Sequence, residues 1–146
     1  MKRQSPQRGR RGRRNWNFFC RGNLGGVNAV TGKIIGAAID VHNATGPGLL
    51  ESSYKACLTH EFVLREIPYL REVPLPLVYK GMKLDIGYRL DFLIEDVVLE
   101  IKSVEAIDPI HVAQVITYMK LGSWKLGLLI NFNVTSLSRG IRRIVL

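Results

Sequence analysis

The stretch Tyr88–Glu105, YRLDFLIEDVVLEIKSVE, constrains the fold of this chain more than any other part of it. Its apolar residues alternate with period two, as side chains on a strand do. Glu95 and Asp96 separate two such runs and read as the loop of a tight hairpin. Residues whose numbers sum to 191 then lie opposite each other. Ile94 faces Val97, Phe92 faces Leu99 and Leu90 faces Ile101, an apolar face that belongs to the core. On the other face Leu93 meets Val98, Asp91 meets Glu100 and Arg89 meets Lys102. The two carboxylates sit side by side, with Cβ atoms about 5 Å apart. Like charges directly opposite destabilise a sheet, so something must compensate. A divalent cation between them would do so, and hard Mg²⁺ or Mn²⁺ suits oxygen donors. A cross-strand salt-bridge network using all four charges would also do so, and E-x-K is a common strand pattern. The register rests on the turn: Glu-Asp is a poor dipeptide for a primed turn, and a longer loop would shift the pairing.

The rest of the chain supplies the partners of this hairpin. TGKIIGAAIDVHNATGPG reads as a first helix with Ile34, Ile35, Ala38, Val41 and His42 on one face, ended by Gly46-Pro47-Gly48. A second helix runs from about Leu49 to Arg65. YLREVPLPLVYKG reads as a proline-marked edge strand that turns at Gly81-Met82 into KLDIGYRLDFLIE. Asp108 caps a third helix with Pro109 at its first position, ending near Gly122. KLGLLINFN is a buried strand and GIRRIVL a short last one. The order is ααβββαββ, an α/β fold with one mixed sheet, a central antiparallel hairpin and flanking helices.

With 146 residues and 47% hydrophobic composition, the chain is long enough for one domain with a real core. No apolar run approaches the ~18 residues of a membrane span, so no membrane partner is expected. Two cysteines without CxxC spacing argue against a disulfide framework or structural zinc and point to a cytoplasmic setting. The net charge of +9 is uneven. Residues 1–30 hold eight Lys or Arg and no acid, while thirteen basic residues face twelve acids in the remainder, leaving it about +1. Residues 1–28 therefore read as a disordered basic tail, either a nucleic-acid-binding arm or an extension without a role, and residues 29–146 as the folded domain. The tail is no secretory signal, since no apolar core follows its charges.

Polar residues on apolar helix faces mark further candidates. On the third helix His111, Gln114 and Tyr118 share a stripe flanked by Val112, Val115 and Met119 on one side and by Ile110 and Leu121 on the other. Inward-facing polar groups need partners. On the second helix Glu51 shares a face with Tyr54, Leu58 and Phe62. Glu51 has a plainer reading: with Gly48 as N-cap it falls at the third helical position, half of a capping box. His42 reads as a structural histidine.

Taken together, GPGLLESSY with Gly48, Glu51 and Tyr54 at G-x-x-E-x-x-Y spacing, IIGAAIDVH, GYRLDFLIEDVVLEIKSVE, PIHVAQVITYMKL and GLLINFN resemble the GxxExxY family of the PD-(D/E)xK nuclease superfamily. The resemblance covers about residues 29–146 and implies a restriction-endonuclease-like core. By that similarity Asp91 matches the metal-binding Asp, Glu100 the second acid and Lys102 the lysine. Glu51 matches the acid on the preceding helix, and Gln114 the position on the helix after E-x-K. The main-chain carbonyl of Ile101 would be a further metal ligand. The chain departs from the family where Glu66 replaces a usual Gly near the end of the second helix.

The resemblance implies a Mg²⁺- or Mn²⁺-dependent nuclease acting on DNA, with RNA as a second substrate class. Asp91, Glu100, Glu51 and Ile101 would hold the metal, and Lys102 would position the attacking water. Gln114 would orient a water or a phosphate oxygen. His111, Tyr118 and Tyr54 are candidates to touch the substrate or to support those ligands from behind. The alternative is a non-catalytic nucleic-acid- or protein-binding domain on the same fold. The intact acid and lysine set argues against that alternative, and the near-neutral domain argues for it.

Overall fold

The computed structural model describes residues 24–146. Most of the segment read as a basic tail, residues 1–23, lies outside the described residues. The elements are α1 (Leu24–Thr45), α2 (Glu51–Leu64), β1 (Leu70–Tyr79), β2 (Met82–Ile94), β3 (Val97–Lys102), α3 (Pro109–Gly122), β4 (Leu126–Asn131), a 3-10 turn (Leu137–Gly140) and β5 (Ile141–Val145). This is the ααβββαββ order that the sequence pattern implies. α1 begins at Leu24, earlier than the TGKIIGAAIDVHNATGPG pattern and within the segment read as tail. Among the described residues no helix is long and apolar enough to cross a membrane.

The five strands form one sheet in the order β1-β2-β3-β4-β5. Only β3 and β4 pair in parallel, and α3 makes the crossover between them. These two strands are buried on both faces, which explains their near-continuous apolar runs VVLEIK and LGLLIN. Val97, Leu99, Ile101, Leu128 and Ile130 pack with Ile34, Ala38, Tyr54, Leu58 and Phe62 of α1 and α2 on one face. Val98 and Leu129 pack with Val115, Tyr118 and Met119 of α3 on the other. Gly127 lets α3 settle closely on β4, because a Cβ there would meet Met119 Sδ at 2.8 Å and Val115 Cγ1 at 2.9 Å. Pro74 and Pro76 lie in the edge strand β1, and the register shifts between Leu75 and Leu77.

The central hairpin has the register read from the sequence over its first three pairs, Ile94 with Val97, Leu93 with Val98 and Phe92 with Leu99. Glu95 occupies the loop at φ +53, so the chain accepts a left-handed residue without Gly or Asn. Beyond Phe92 the expected pairing fails. β2 continues against β1 as far as Met82, and Lys102 pairs with Asn131 of β4. Arg89 lies opposite Pro74 and not Lys102. Leu90, expected beside Phe92, packs on the opposite face with Leu93 and Val98. The alternation slips at Asp91, across from Glu72, which has φ +52.

The end of α2 carries Glu66, where the resemblance leads one to expect Gly. Ile67 N–H donates to Phe62 O at 2.9 Å and Glu66 N–H to Val63 O at 3.1 Å, closing the helix with Glu66 at φ +55. A residue with a Cβ is strained in this left-handed region. Glu66→Gly should therefore stabilise the protein by about 1 kcal/mol and raise Tm by about 2–4 °C in a thermal melt. An unchanged or lower Tm would show that the Glu66 side chain compensates for its own backbone.

Candidate metal and active site

The hairpin opens into a fork where β2 leaves β3, and side chains take over from the main-chain ladder. Asp91 N–H donates to Glu100 Oε1 at 3.0 Å, and Ile101 N–H donates to Asp91 Oδ2 at 2.8 Å. Each acid thus binds the main chain of the opposite strand. Buried N–H groups must find acceptors, and here carboxylates supply them. Asp91 and Glu100 are only 5% and 3% exposed. The two acids that the strand pattern places side by side meet through this exchange and not as a regular cross-strand pair.

Lys55 of α2 completes the cluster, and sequence reasoning missed it. Its Nζ lies 2.6 Å from Asp91 Oδ1, 3.3 Å from Glu51 Oε1 and 3.9 Å from Glu72 Oε1. A signal was available: Lys55 stands four residues after Glu51, next to buried Tyr54 and on the inward side of α2. Burial alone would lower its pKa, but the hydrogen bond and charge of Asp91, with Glu51 behind, hold it above the ordinary lysine value. Glu51 is the first residue of α2 and the N-cap is Leu50, with no side-chain cap. The capping-box reading of Glu51 from Gly48 is therefore corrected, since its carboxylate is engaged with Lys55.

The other candidates divide between the site and its scaffold. Lys102, half-buried at the end of β3, makes no ion pair within 4.0 Å among the described residues, yet its charge acts on Glu100. On α3 Gln114 Nε2 donates to Tyr118 Oη at 2.9 Å. Tyr118 is buried, and burial first, then the nearby charges of Glu100 and Asp91, raise its pKa. Glu51 and Gln114 approach from opposite faces of the sheet, because α2 and α3 do. Ile101 is buried, with its N–H committed to Asp91. His111 Nδ1 accepts the Asp108 N–H at 3.0 Å, so it closes the first turn of α3. Tyr54 is fully buried, stacks on Phe132 at 4.5 Å, donates to Gly46 O at 2.5 Å and accepts Leu49 N–H at 3.2 Å. It anchors the loop before α2 and has no surface to offer a substrate. His42 is structural, 2.7 Å from Val134 O through Nε2.

The charges within the fork are unequal. Asp91 has Lys55, whereas Glu100 has no cation within 4.0 Å among the described residues. Burial, then the Asp91 charge beside it, push Glu100 up to about 8. Two adjacent buried carboxylates short of positive charge suit a hard divalent cation, and the donor chemistry fits Mg²⁺ or Mn²⁺. Among the described residues no group of three or more His, Cys, Asp or Glu side chains is arranged to hold an ion. The protein would thus provide two carboxylates, and the remaining positions would fall to main-chain, water or substrate oxygens, as Mg²⁺ commonly accepts.

Glu100 makes stability depend on pH in a definite direction. Between 4.5 and about 8 the folded state keeps a proton that the unfolded chain has released. Raising the pH across that window then favours unfolding. In EDTA, Tm should fall between these limits, and Glu100→Gln should flatten the slope and melt higher than the parent at pH 8. A parent whose Tm is flat across the window would contradict this account of the acid pair.

The family model of the PD-(D/E)XK nuclease superfamily matches residues 28–144, a span that omits only the first four residues of α1 and the last residue of β5 from the elements described. No curated protein and no solved structure gives a significant match. With a mixed five-stranded sheet flanked by helices, and an acid, acid, lysine set at its central hairpin, the chain belongs to the PD-(D/E)XK nuclease superfamily.

Proposed function

We propose that this protein is a Mg²⁺- or Mn²⁺-dependent deoxyribonuclease of the GxxExxY branch, hydrolysing phosphodiester bonds in a cytoplasmic setting. The observation that carries the reading is the buried Glu100 carboxyl, set against Asp91 with no cation within 4.0 Å among the described residues. A purely structural pair would be expected to have been neutralised by a second basic side chain. The spacing of Gly48, Glu51 and Tyr54 supports the branch.

Asp91 and Glu100 would hold the cation, with the Ile101 carbonyl as a third donor. The chemistry supplied when the cation is bound is Lewis-acid activation of the phosphate and of water. Glu100 would have to give up its proton to hold the cation, so binding should strengthen as pH rises. Lys102, which makes no ion pair within 4.0 Å among the described residues, would position the attacking water and offset the charge that grows on phosphorus-bound oxygens. Gln114, oriented by Tyr118, donates to a phosphate oxygen. Glu51 acts through Lys55 and not as a direct ligand, while His111 and Tyr54 serve the scaffold.

The test is cleavage of labelled single-stranded, duplex and branched DNA, and of RNA, with Mg²⁺, Mn²⁺ or EDTA. Metal-dependent cleavage lost in Asp91→Asn supports the reading. Tight DNA binding without cleavage in any metal would favour the non-catalytic binding domain. Lys102→Met keeps most of the aliphatic stem and removes the charge. It should slow cleavage by at least about a hundredfold, the scale of losing one transition-state donor, while calorimetry shows metal binding retained. A folded Lys102→Met protein that cuts as fast as the parent would remove Lys102 from the mechanism.

A further inference from the structure

Lys55 occupies a position that the acid and lysine motif does not account for. Carboxylates from three elements, Glu51 of α2, Glu72 of β1 and Asp91 of β2, converge on its one ammonium. The three contacts differ. The 2.6 Å bond goes to Asp91, whose side chain is 7% exposed, whereas Glu51 and Glu72 are 39% and 43% exposed and lie farther off. Both oxygens of Asp91 are thereby engaged, Oδ1 by Lys55 and Oδ2 by the Ile101 N–H. Oδ2 is fixed by the main chain. Oδ1 is held only by the end of a flexible four-carbon stem.

Building on the metal-dependent reading, we propose that Lys55 is a built-in competitor for the divalent cation. It neutralises Asp91 in the metal-free protein and must withdraw from Oδ1 for the cation to bind. The exit is provided by the same cluster. Glu51 and Glu72 lie on the more exposed side and can keep the ammonium once Asp91 exchanges it for the stronger cation. A hydrated Lys head with a rotatable stem suits such a transfer, where the rigid fork of an Arg would not. Lys55 thus lowers metal affinity while stabilising the metal-free fold. It is a positioning residue, acting on the site through Asp91.

The experiment compares the parent with Lys55→Gln and Lys55→Met, the first keeping a neutral donor for Asp91 and the second keeping only the apolar stem. Mn²⁺ is titrated by calorimetry, and thermal unfolding is followed in EDTA and in saturating Mn²⁺. The expected result is at least tenfold tighter Mn²⁺ binding in both variants. Tm should be lower in EDTA, and Mn²⁺ should raise it more than in the parent. Should Lys55→Met not fold in EDTA, rescue by Mn²⁺ together with the Lys55→Gln affinity decides the matter. Binding as weak as the parent's, or weaker, in folded Lys55→Gln overturns the proposal and leaves the nuclease reading intact. Binding in the variants where the parent shows none supports the proposal. Absence of Mn²⁺ binding in all three proteins overturns the metal-dependent reading, and this proposal with it.

Discussion

The exchange of carboxylates across the β2–β3 fork is the constraint on which the rest of the site depends. Asp91 holds the main chain of β3 through Ile101, and Glu100 holds the main chain of β2 through Asp91 itself. The two strands can part there without leaving orphaned N–H groups. β2 is then free to follow β1, and β3 to bury itself between β2 and β4. The slip of face at Leu90 is part of the same event. Two acids that would repel each other in a regular ladder become the pieces that end it, and their carboxylates are fixed by main chain and not by side-chain rotamer alone.

Such a fork is costly to build, and the cost explains its surroundings. Burying a carboxylate is tolerable only with hydrogen bonds and opposite charge. Asp91 receives both, from Ile101 N–H and from Lys55. Glu100 receives a hydrogen bond but no cation within 4.0 Å among the described residues, and burial beside Asp91 outweighs the more distant Lys102 charge and raises its pKa. The packed layers on either side, Tyr54, Phe62 and Phe92 with the helices on one face and Val98, Val115 and Met119 on the other, keep the fork from collapsing. The acid left without a cation is the one that has most to gain from a metal.

Much of this fold could be read from the sequence because period and punctuation agreed. The alternation in LDFLIEDVVLEIK fixed three ladder pairs, and Asp108-Pro109 marked the start of α3 to the residue. The fork could not be read, because a side chain that replaces a main-chain acceptor leaves no periodic trace. Lys55 escaped for a related reason: its deepest contact lies 36 positions away on another element, and i,i+4 spacing from Glu51 alone suggests only a surface pair. His111 and Tyr54 illustrate the converse. His111 lies on the inward stripe of α3 and Tyr54 in the G-x-x-E-x-x-Y spacing, yet His111 satisfies a main-chain N–H three residues back, and Tyr54 ties down the loop from Gly46 to Leu49. Inward-facing polarity shows that a partner exists without telling whether that partner is a substrate or the chain's own backbone.

On the nuclease reading, the charge distribution also imposes an order of events. Residues 31–146 are nearly neutral, with thirteen basic residues against twelve acids, and Glu51, Glu72, Asp91 and Glu100 crowd around the fork with Lys55 and Lys102. A phosphodiester approaching this cluster before the cation meets net negative charge, focused by the low-dielectric sheet beneath it. A bound cation would offset the two buried acids. Lys102, with no carboxylate within 4.0 Å among the described residues, would then be left to attract phosphate. Cation first and nucleic acid second is the sequence this electrostatics favours. In that order the proton of Glu100 and the ammonium of Lys55 would both have to leave before the substrate arrives.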